Sequence, residues 1–104
     1  MLTGGCHCEA IRYEISGVPL NHALCHCVDC RRASGAPMVG WAMMTTGLFY
    51  TNDAMLPGLV DVQSATLDEP DELPAQAHIQ TAERLGWMAE AHRLPEFERY
   101  PPQE

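Results

Sequence analysis

Lysine is absent from this sequence, and its six basic residues are all arginines. Fourteen acidic residues outweigh them and give the chain a formal net charge of −8. Binding to nucleic acids depends on neutralising phosphates with basic side chains, and anionic membrane surfaces also attract basic segments. We therefore expect no nucleic acid and no membrane among the partners of this protein.

Long apolar runs are also missing, since none approaches the ~20 residues that a membrane-spanning helix needs. Residues 1–5 have neither the basic region nor the apolar stretch of a secretory signal, so we expect a cytoplasmic protein. The length of 104 residues and a hydrophobic content of 46% suit one globular domain with its own core. The sequence thus predicts a single domain over residues 1–104, small enough to gain from a bound metal.

All five cysteines lie within the first 30 residues, and none follows. The odd number, the local clustering and the expected reducing compartment favour metal binding over a disulfide framework. Cys25, Cys27 and Cys30 form a C-x-C-x2-C pattern, which can bring three sulfurs to one centre. Zinc takes four protein ligands in structural sites, and three plus water or substrate in catalytic sites. The residues alone therefore leave two alternatives equally open, a catalytic zinc with an open position and a metal that only stabilises the fold.

Two arginines follow the cysteine cluster directly in the chain. Arg31 and Arg32 could offset the thiolate charge or hold an anionic substrate, because guanidinium groups suit carboxylates. A solvated helix surface is the alternative role. In an otherwise acidic chain, this basic pair is the predicted substrate-binding element.

Strand-like patterns surround the cysteine cluster and predict a mainly β domain. Residues 27–34 instead suit a short helix that Gly35 would end. Residues 82–92 have a helical composition but lack good capping residues. The predicted strands, identified by apolar residues that alternate or run continuously between turn signals, are residues 11–15, 20–24, 38–44, 48–50, 59–67 and 77–81.

Taken together, these motifs resemble the glutathione-dependent formaldehyde-activating enzyme family, which also includes centromere protein V. The specific matches are residues 4–8 with residues 11–13, and residues 25–32 with Ser34 and Gly35. Weaker matches extend the resemblance over nearly the whole chain, at residues 66–68, 70, 78–79, 87 and 94–97.

The resemblance implies a compact, β-tent-like fold of several coiled antiparallel sheets, with one short helix after the C-x-C-x2-C cluster. It also implies that Cys25, Cys27 and Cys30 hold a catalytic Zn²⁺, near which glutathione or a related thiol adds to formaldehyde or another small aldehyde. Such a protein would be a carbon–sulfur lyase that forms S-hydroxymethylglutathione. The alternative is a non-catalytic, zinc-stabilised β-domain that acts as a binding module.

The sequence departs from the family pattern at a second zinc site. In the family, the pair that corresponds to Cys6 and Cys8 joins a later C-x2-C pair, which this chain lacks. An internal segment near residues 44–46 looks deleted, so we expect one zinc and do not carry the structural zinc over. Because a structural zinc can contribute ~10 kcal/mol or more to folding, we predict a replacement near Met44 and Thr45, either extra apolar packing or a homodimer interface.

Three alternatives remain for Cys6 and Cys8. In the first, they are free thiols, which behave as small hydrophobic side chains. Or they complete a metal site with His7, with His22 or with another chain. Or they join the zinc of the second cluster and close its open position.

Overall fold

The computed structural model describes residues 2–15, 19–45 and 59–102 of the chain. Within these ranges the fold is mainly β, with one α-helix directly after the cysteine cluster, so the predicted fold class is confirmed. The regular elements are the strands β1 (Leu2–Gly5), β2 (Arg12–Ile15), β3 (Pro19–Cys25), β4 (Val39–Thr45), β5 (Leu59–Gln63) and β6 (Ala77–Ile79), together with the helix α1 (Val28–Ser34).

The strands form two sheets. The smaller sheet is the antiparallel pair β1–β2, and the larger has the strand order β5-β4-β3-β6. In the larger sheet, β4 is antiparallel to both β3 and β5, whereas the short β6 runs parallel to β3. Gly4 pairs with Leu67 in an isolated bridge, and the Asp68 N–H donates to the Thr3 carbonyl at 2.9 Å. These bonds tie the smaller sheet to the segment that follows β5.

The larger sheet presents two different faces, because side chains along a strand alternate between its sides. Cross-strand pairing places His22 opposite Ala42, and Leu24 opposite Gly40, on one face. The same register places Cys25 opposite Val39, and Ala23 opposite Trp41, on the other. The cysteine cluster therefore begins on the face that does not carry His22.

The hydrophobic core lies on the His22 face. Met44 is 0% exposed and Ile15, from the smaller sheet, is 1% exposed. Burial of such side chains stabilises a fold by roughly 1.5–3 kcal/mol each. Met44, one of the two residues named above for the proposed junction, is thus part of the buried core. The members of this core cluster are Ile15, Ala42, Met44, Val60 and Val62.

Two predicted elements end differently in the structure. The strand predicted over residues 59–67 stops at Gln63 and turns into a 3₁₀ helix, Ser64–Thr66. The Thr66 hydroxyl donates to the Gln63 carbonyl at 2.7 Å, a local bond that competes with strand pairing. The helix predicted over residues 82–92 is a 3₁₀ helix, Gly86–Arg93, whose N-terminus has no side-chain cap.

One prediction falls where nothing can be compared. The strand predicted at residues 48–50, and residue 46 of the proposed junction, lie outside the described ranges. Among the residues that the structure describes, no helix is long and apolar enough to span a membrane.

Candidate metal centre

The local fold explains why a C-x-C-x2-C pattern gathers three sulfurs. Cys25 ends β3, and Cys27 is the N-cap of α1 with an extended backbone. The Cys27 sulfur accepts the backbone N–H of Cys30 at 3.2 Å, so the first helical turn places the third cysteine above the second. The helix ends where sequence predicts, at Gly35, whose φ of 74° is left-handed and whose N–H donates to the Arg31 carbonyl.

The sulfurs of Cys25, Cys27 and Cys30 all lie within 4.8 Å of one another. The Cys25 and Cys30 sulfurs are 3.7 Å apart. A tetrahedral zinc with bonds of about 2.3 Å needs its sulfurs roughly 3.8 Å apart, so this spacing fits such an ion. Within the described ranges, no fourth His, Cys, Asp or Glu side chain joins the group. The cluster could therefore hold a metal ion through three protein ligands.

The three thiols have unequal electrostatic surroundings. The pKa of Cys27 is lowered, chiefly by the hydrogen bond from the Cys30 side chain and then by the Cys30 backbone N–H. Burial raises the pKa of Cys30 to about 11, and its bond with the Cys27 side chain acts in the same direction. A metal ion would overcome that penalty, because a coordinating thiol is deprotonated outright. Of Cys27 and Cys30, Cys27 thus loses its proton more readily before a metal binds.

Trp41 contributes a contact that the sequence reasoning missed. Its indole Nε1–H donates to the Cys30 sulfur at 3.3 Å, which favours the thiolate form of Cys30. The signal lies in the register of β3 and β4, which places Trp41 and Cys25 on the same face and is invisible before the strands are paired.

The two predicted arginines lie beside a cavity of about 300 Å³. Arg31 is half-buried, and its Nε makes no hydrogen bond within the described part of the chain. A buried guanidinium nitrogen without a partner is costly, so this group is available to an anion. The cavity is lined by Arg31, Arg32, Gly35, Ala36, Pro37, Leu85 and Trp87.

Cys6 and Cys8 lie together but apart from the cluster. Their sulfurs are 3.5 Å apart, and Cys8 is exposed. Cys6 accepts the Ile11 N–H at 3.3 Å, and this bond lowers the pKa of its thiol. Since neither sulfur belongs to the group formed by Cys25, Cys27 and Cys30, the alternative in which they close the second cluster does not hold within this chain.

The histidines near the cysteines have other partners. His26 lies between two cysteines in sequence, yet it is 1% exposed and its Nε2 is 2.8 Å from Nδ1 of His78. Burial lowers the pKa of His26, with positive Arg84 acting in the same direction. His22 bonds to Ser64 instead of Cys6 or Cys8. Neither His22 nor His26 joins the described sulfur cluster.

The comparison with protein families agrees with this arrangement. The sequence model described as glutathione-dependent formaldehyde-activating enzyme matches residues 1–52, which is half of the chain. The matched part includes both cysteine motifs and the strands β1 to β4. No curated protein sequence matches the chain significantly.

Proposed function

The chain belongs to the glutathione-dependent formaldehyde-activating enzyme family, and we propose that it is a zinc-dependent carbon–sulfur lyase. Its substrates would be glutathione or a related thiol together with formaldehyde or another small aldehyde. The observation that carries the proposal is the convergence of three sulfurs at zinc spacing, followed at once in the chain by two arginines on a cavity. A closed structural site would need a fourth protein ligand.

Cys25, Cys27 and Cys30 would hold the zinc ion. When bound, zinc supplies Lewis acidity that keeps a coordinating substrate thiol in its thiolate form. The protein side chains set the rest of the environment. Trp41 donates a hydrogen bond to the Cys30 sulfur, and α1 fixes the positions of Cys27 and Cys30.

The cavity beside α1 would receive the anionic end of the thiol. Glutathione carries two carboxylates, and arginine is the side chain best suited to bind carboxylates in pairs of hydrogen bonds. Arg31 and Arg32 line the cavity together with Leu85 and Trp87, which supply apolar surface. In a chain with a net charge of −8, the two arginines give this cavity a locally positive wall that favours an anion.

The reaction is an addition without oxidation or reduction. The substrate sulfur forms a bond to the aldehyde carbon, and the carbon–oxygen double bond becomes a single bond. The proton that the thiol loses ends on that oxygen, which gives a hydroxyalkyl thioether. The same steps in reverse release the aldehyde, so one site forms and breaks the adduct.

Glutathione binding to the zinc-loaded protein tests this proposal. We expect Arg31→Met and Arg32→Met each to weaken binding by about tenfold, since a hydrogen bond to a charged group contributes roughly 1.5–3 kcal/mol. The matched control is Arg99→Met, because Arg99 is exposed and does not line the cavity. Its Nη1 donates to the carbonyl of the neighbouring Glu98. Calorimetry gives the affinity, and carbon NMR of labelled formaldehyde gives the rate of adduct formation. Folded, zinc-loaded protein that neither binds glutathione nor speeds the adduct would contradict the proposal.

A second candidate is a zinc-stabilised domain that binds another protein. It is favoured by large apolar side chains exposed along the last described segment, of which Tyr100 is 88% exposed. Exposed apolar surface of this kind marks interaction sites. The exposed apolar residues of this segment are Trp87, Leu94, Phe97 and Tyr100. Under this alternative, Phe97→Ser and Tyr100→Ser would lower binding of a hydrophobic dye while glutathione has no measurable affinity.

Location and assembly are further parts of the proposal. We propose a cytoplasmic protein, because five free cysteines, of which Cys8 is exposed, persist in a reducing compartment. A homodimer is the other predicted response to the missing structural zinc, and light scattering of the zinc-loaded protein would measure it.

A further inference from the structure

A serine and a histidine form a second, separate polar pair on the core face of the larger sheet. Ser64 Oγ and His22 Nε2 are 2.6 Å apart, and each residue is 7% exposed. His22 comes from the centre of β3, and Ser64 is the first residue of the 3₁₀ helix after β5. The strand pairing places His22 and Cys25 on opposite faces of the larger sheet. The pair of Ser64 and His22 is therefore distinct from the cysteine cluster.

The pair lines a cavity of about 180 Å³. Its other walls are small or apolar, and the Ser64 hydroxyl packs directly over Gly40. A Cβ at position 40 would overlap Ser64 Oγ and lie 3.3 Å from His22 Nε2. The lining residues are His22, Leu24, Gly40, Ser64, Ala65 and Pro70.

One nitrogen of this pair has no partner. His22 Nδ1 is buried and makes no hydrogen bond among the described residues. If Nε2 accepts the serine proton, Nδ1 must carry the other hydrogen, and if Nε2 donates, Nδ1 is a buried acceptor. Either state leaves a buried polar atom of His22 unpaired among the described residues, which costs free energy.

We propose that Ser64 and His22 form a metal-independent nucleophilic site that acts on short-chain acyl esters. Hydrogen bonding to an imidazole is the arrangement that activates a serine hydroxyl. Ser64 Oγ forms a bond to the acyl carbon as its proton moves to His22 Nε2. The carbon–oxygen bond to the alcohol breaks, and the departing alkoxide takes that proton. Water then repeats the sequence, which releases the carboxylic acid and restores the serine.

The cavity and the missing carboxylate set the expected scope. Its small volume and apolar walls suit a short acyl chain, and no arginine is among the described residues that line it. No described side chain bonds to Nδ1, so His22 lacks the orienting third member of a catalytic triad. We therefore expect slow turnover, with covalent labelling as the sharper readout.

The test uses a fluorophosphonate probe and peptide mass spectrometry on the full-length, zinc-loaded protein. We expect an adduct at Ser64, none at Ser34, and labelling that is at least roughly 100-fold slower in His22→Gln, as loss of a general base predicts. Ser34 is the internal control, because its hydroxyl bonds to the Cys30 carbonyl and not to an imidazole. Circular dichroism and zinc content confirm that the variants are folded.

A second measurement covers the ester reaction itself. Incubation with p-nitrophenyl acetate should leave an acetyl group on Ser64, and Ser64→Ala should abolish that adduct. Folded wild-type protein that is labelled only on cysteines, or that labels at Ser64 equally fast in His22→Gln, would overturn the proposal. Because neither readout needs glutathione, failure here is distinct from failure of the lyase proposal.

Discussion

The two groups of cysteines share the C-x-C spacing but lie in different surroundings. Cys25, Cys27 and Cys30 join a buried strand end to the first turn of a helix. Cys6 and Cys8 lie in an exposed turn between the two strands of the smaller sheet. Among the residues that the structure describes, no third sulfur joins them. The same C-x-C spacing therefore forms a cluster that could bind a metal only where the first turn of a helix brings a third thiol close to the other two.

The difference also appears in what holds each group in place. α1 fixes the cluster through the bond from the Cys30 N–H to the Cys27 sulfur. The pair depends on the β1–β2 hairpin, where the Cys6 N–H donates to the Ile11 carbonyl at 3.1 Å. Metal binding should thus depend strongly on the cluster and weakly on the pair, which the following predictions test.

The largest expected effect comes from Cys27→Ser. Serine is a good N-cap, so α1 can persist while one thiolate is lost. We expect zinc to fall from about one ion per chain to nearly none, because zinc sites depend on every thiolate ligand. Elemental analysis and thermal unfolding with and without chelator measure this. The matched control is Cys8→Ser, and equal zinc loss in both variants would contradict the distinction between the groups.

A smaller effect is expected from Trp41→Phe. The change removes the N–H that bonds to the Cys30 sulfur while keeping an aromatic ring. A hydrogen bond to a charged group contributes roughly 1.5–3 kcal/mol, so we expect zinc affinity to fall by about tenfold or more. Competition with a chromophoric chelator measures that affinity. The control is Trp87→Phe, at the other tryptophan. Trp87 is 59% exposed, and its replacement should leave the zinc affinity unchanged. An unaltered affinity in Trp41→Phe would show that the bond does not support the metal.

Much of this comparison could be predicted from local sequence. The C-x-C-x2-C spacing, the short helix and its end at Gly35 all depend on neighbouring residues, and the structure has each of them. The alternating residues 11–15 likewise predict β2 within one residue of its start. Signals of this kind need no knowledge of which strands pair.

The rest depends on contacts between distant parts of the chain. The bond from Trp41 to Cys30 and the bond between His22 and Ser64 require the register of the strands β3, β4 and β5. The strand ends early, at Gln63, because the Thr66 hydroxyl donates to the Gln63 carbonyl. The strand propensities of the residues do not reveal this bond. Local sequence therefore predicts which sulfurs come together but not which side chains surround them.

A still smaller effect is expected when Cys6 and Cys8 are both replaced by serine. Two thiolates are half of a tetrahedral site, and the described chain offers no third member to them. We expect the zinc content and the unfolding temperature to stay close to those of the wild type. Loss of a zinc together with a halved mass in light scattering would instead show that two copies share a site through these cysteines.

The smallest effect concerns the acid stability of the hairpin that carries the pair. Arg12 bonds to both carboxylate oxygens of Asp68, and the Thr3 hydroxyl donates to the same group at 2.7 Å. These contacts, the Arg12 bond first, lower the pKa of Asp68 to about 2 from 3.8. Because the folded pKa is depressed, the stabilisation is present above pH 3.8 and is lost as the pH falls from 3.8 through about 2.

Asp68→Asn should therefore be slightly less stable than the wild type at neutral pH, and most of this difference should be gone by about pH 2. Both side chains are partly exposed, so solvent and salt screen the interaction and the difference should shrink in high salt. Urea unfolding at several pH values measures it, and Glu69→Gln, at an exposed neighbour, is the control. A difference that persists unchanged at pH 2 would mean that Asp68 acts through shape, not charge. The hairpin of the pair would then be held by packing, as the cluster is held by its helix.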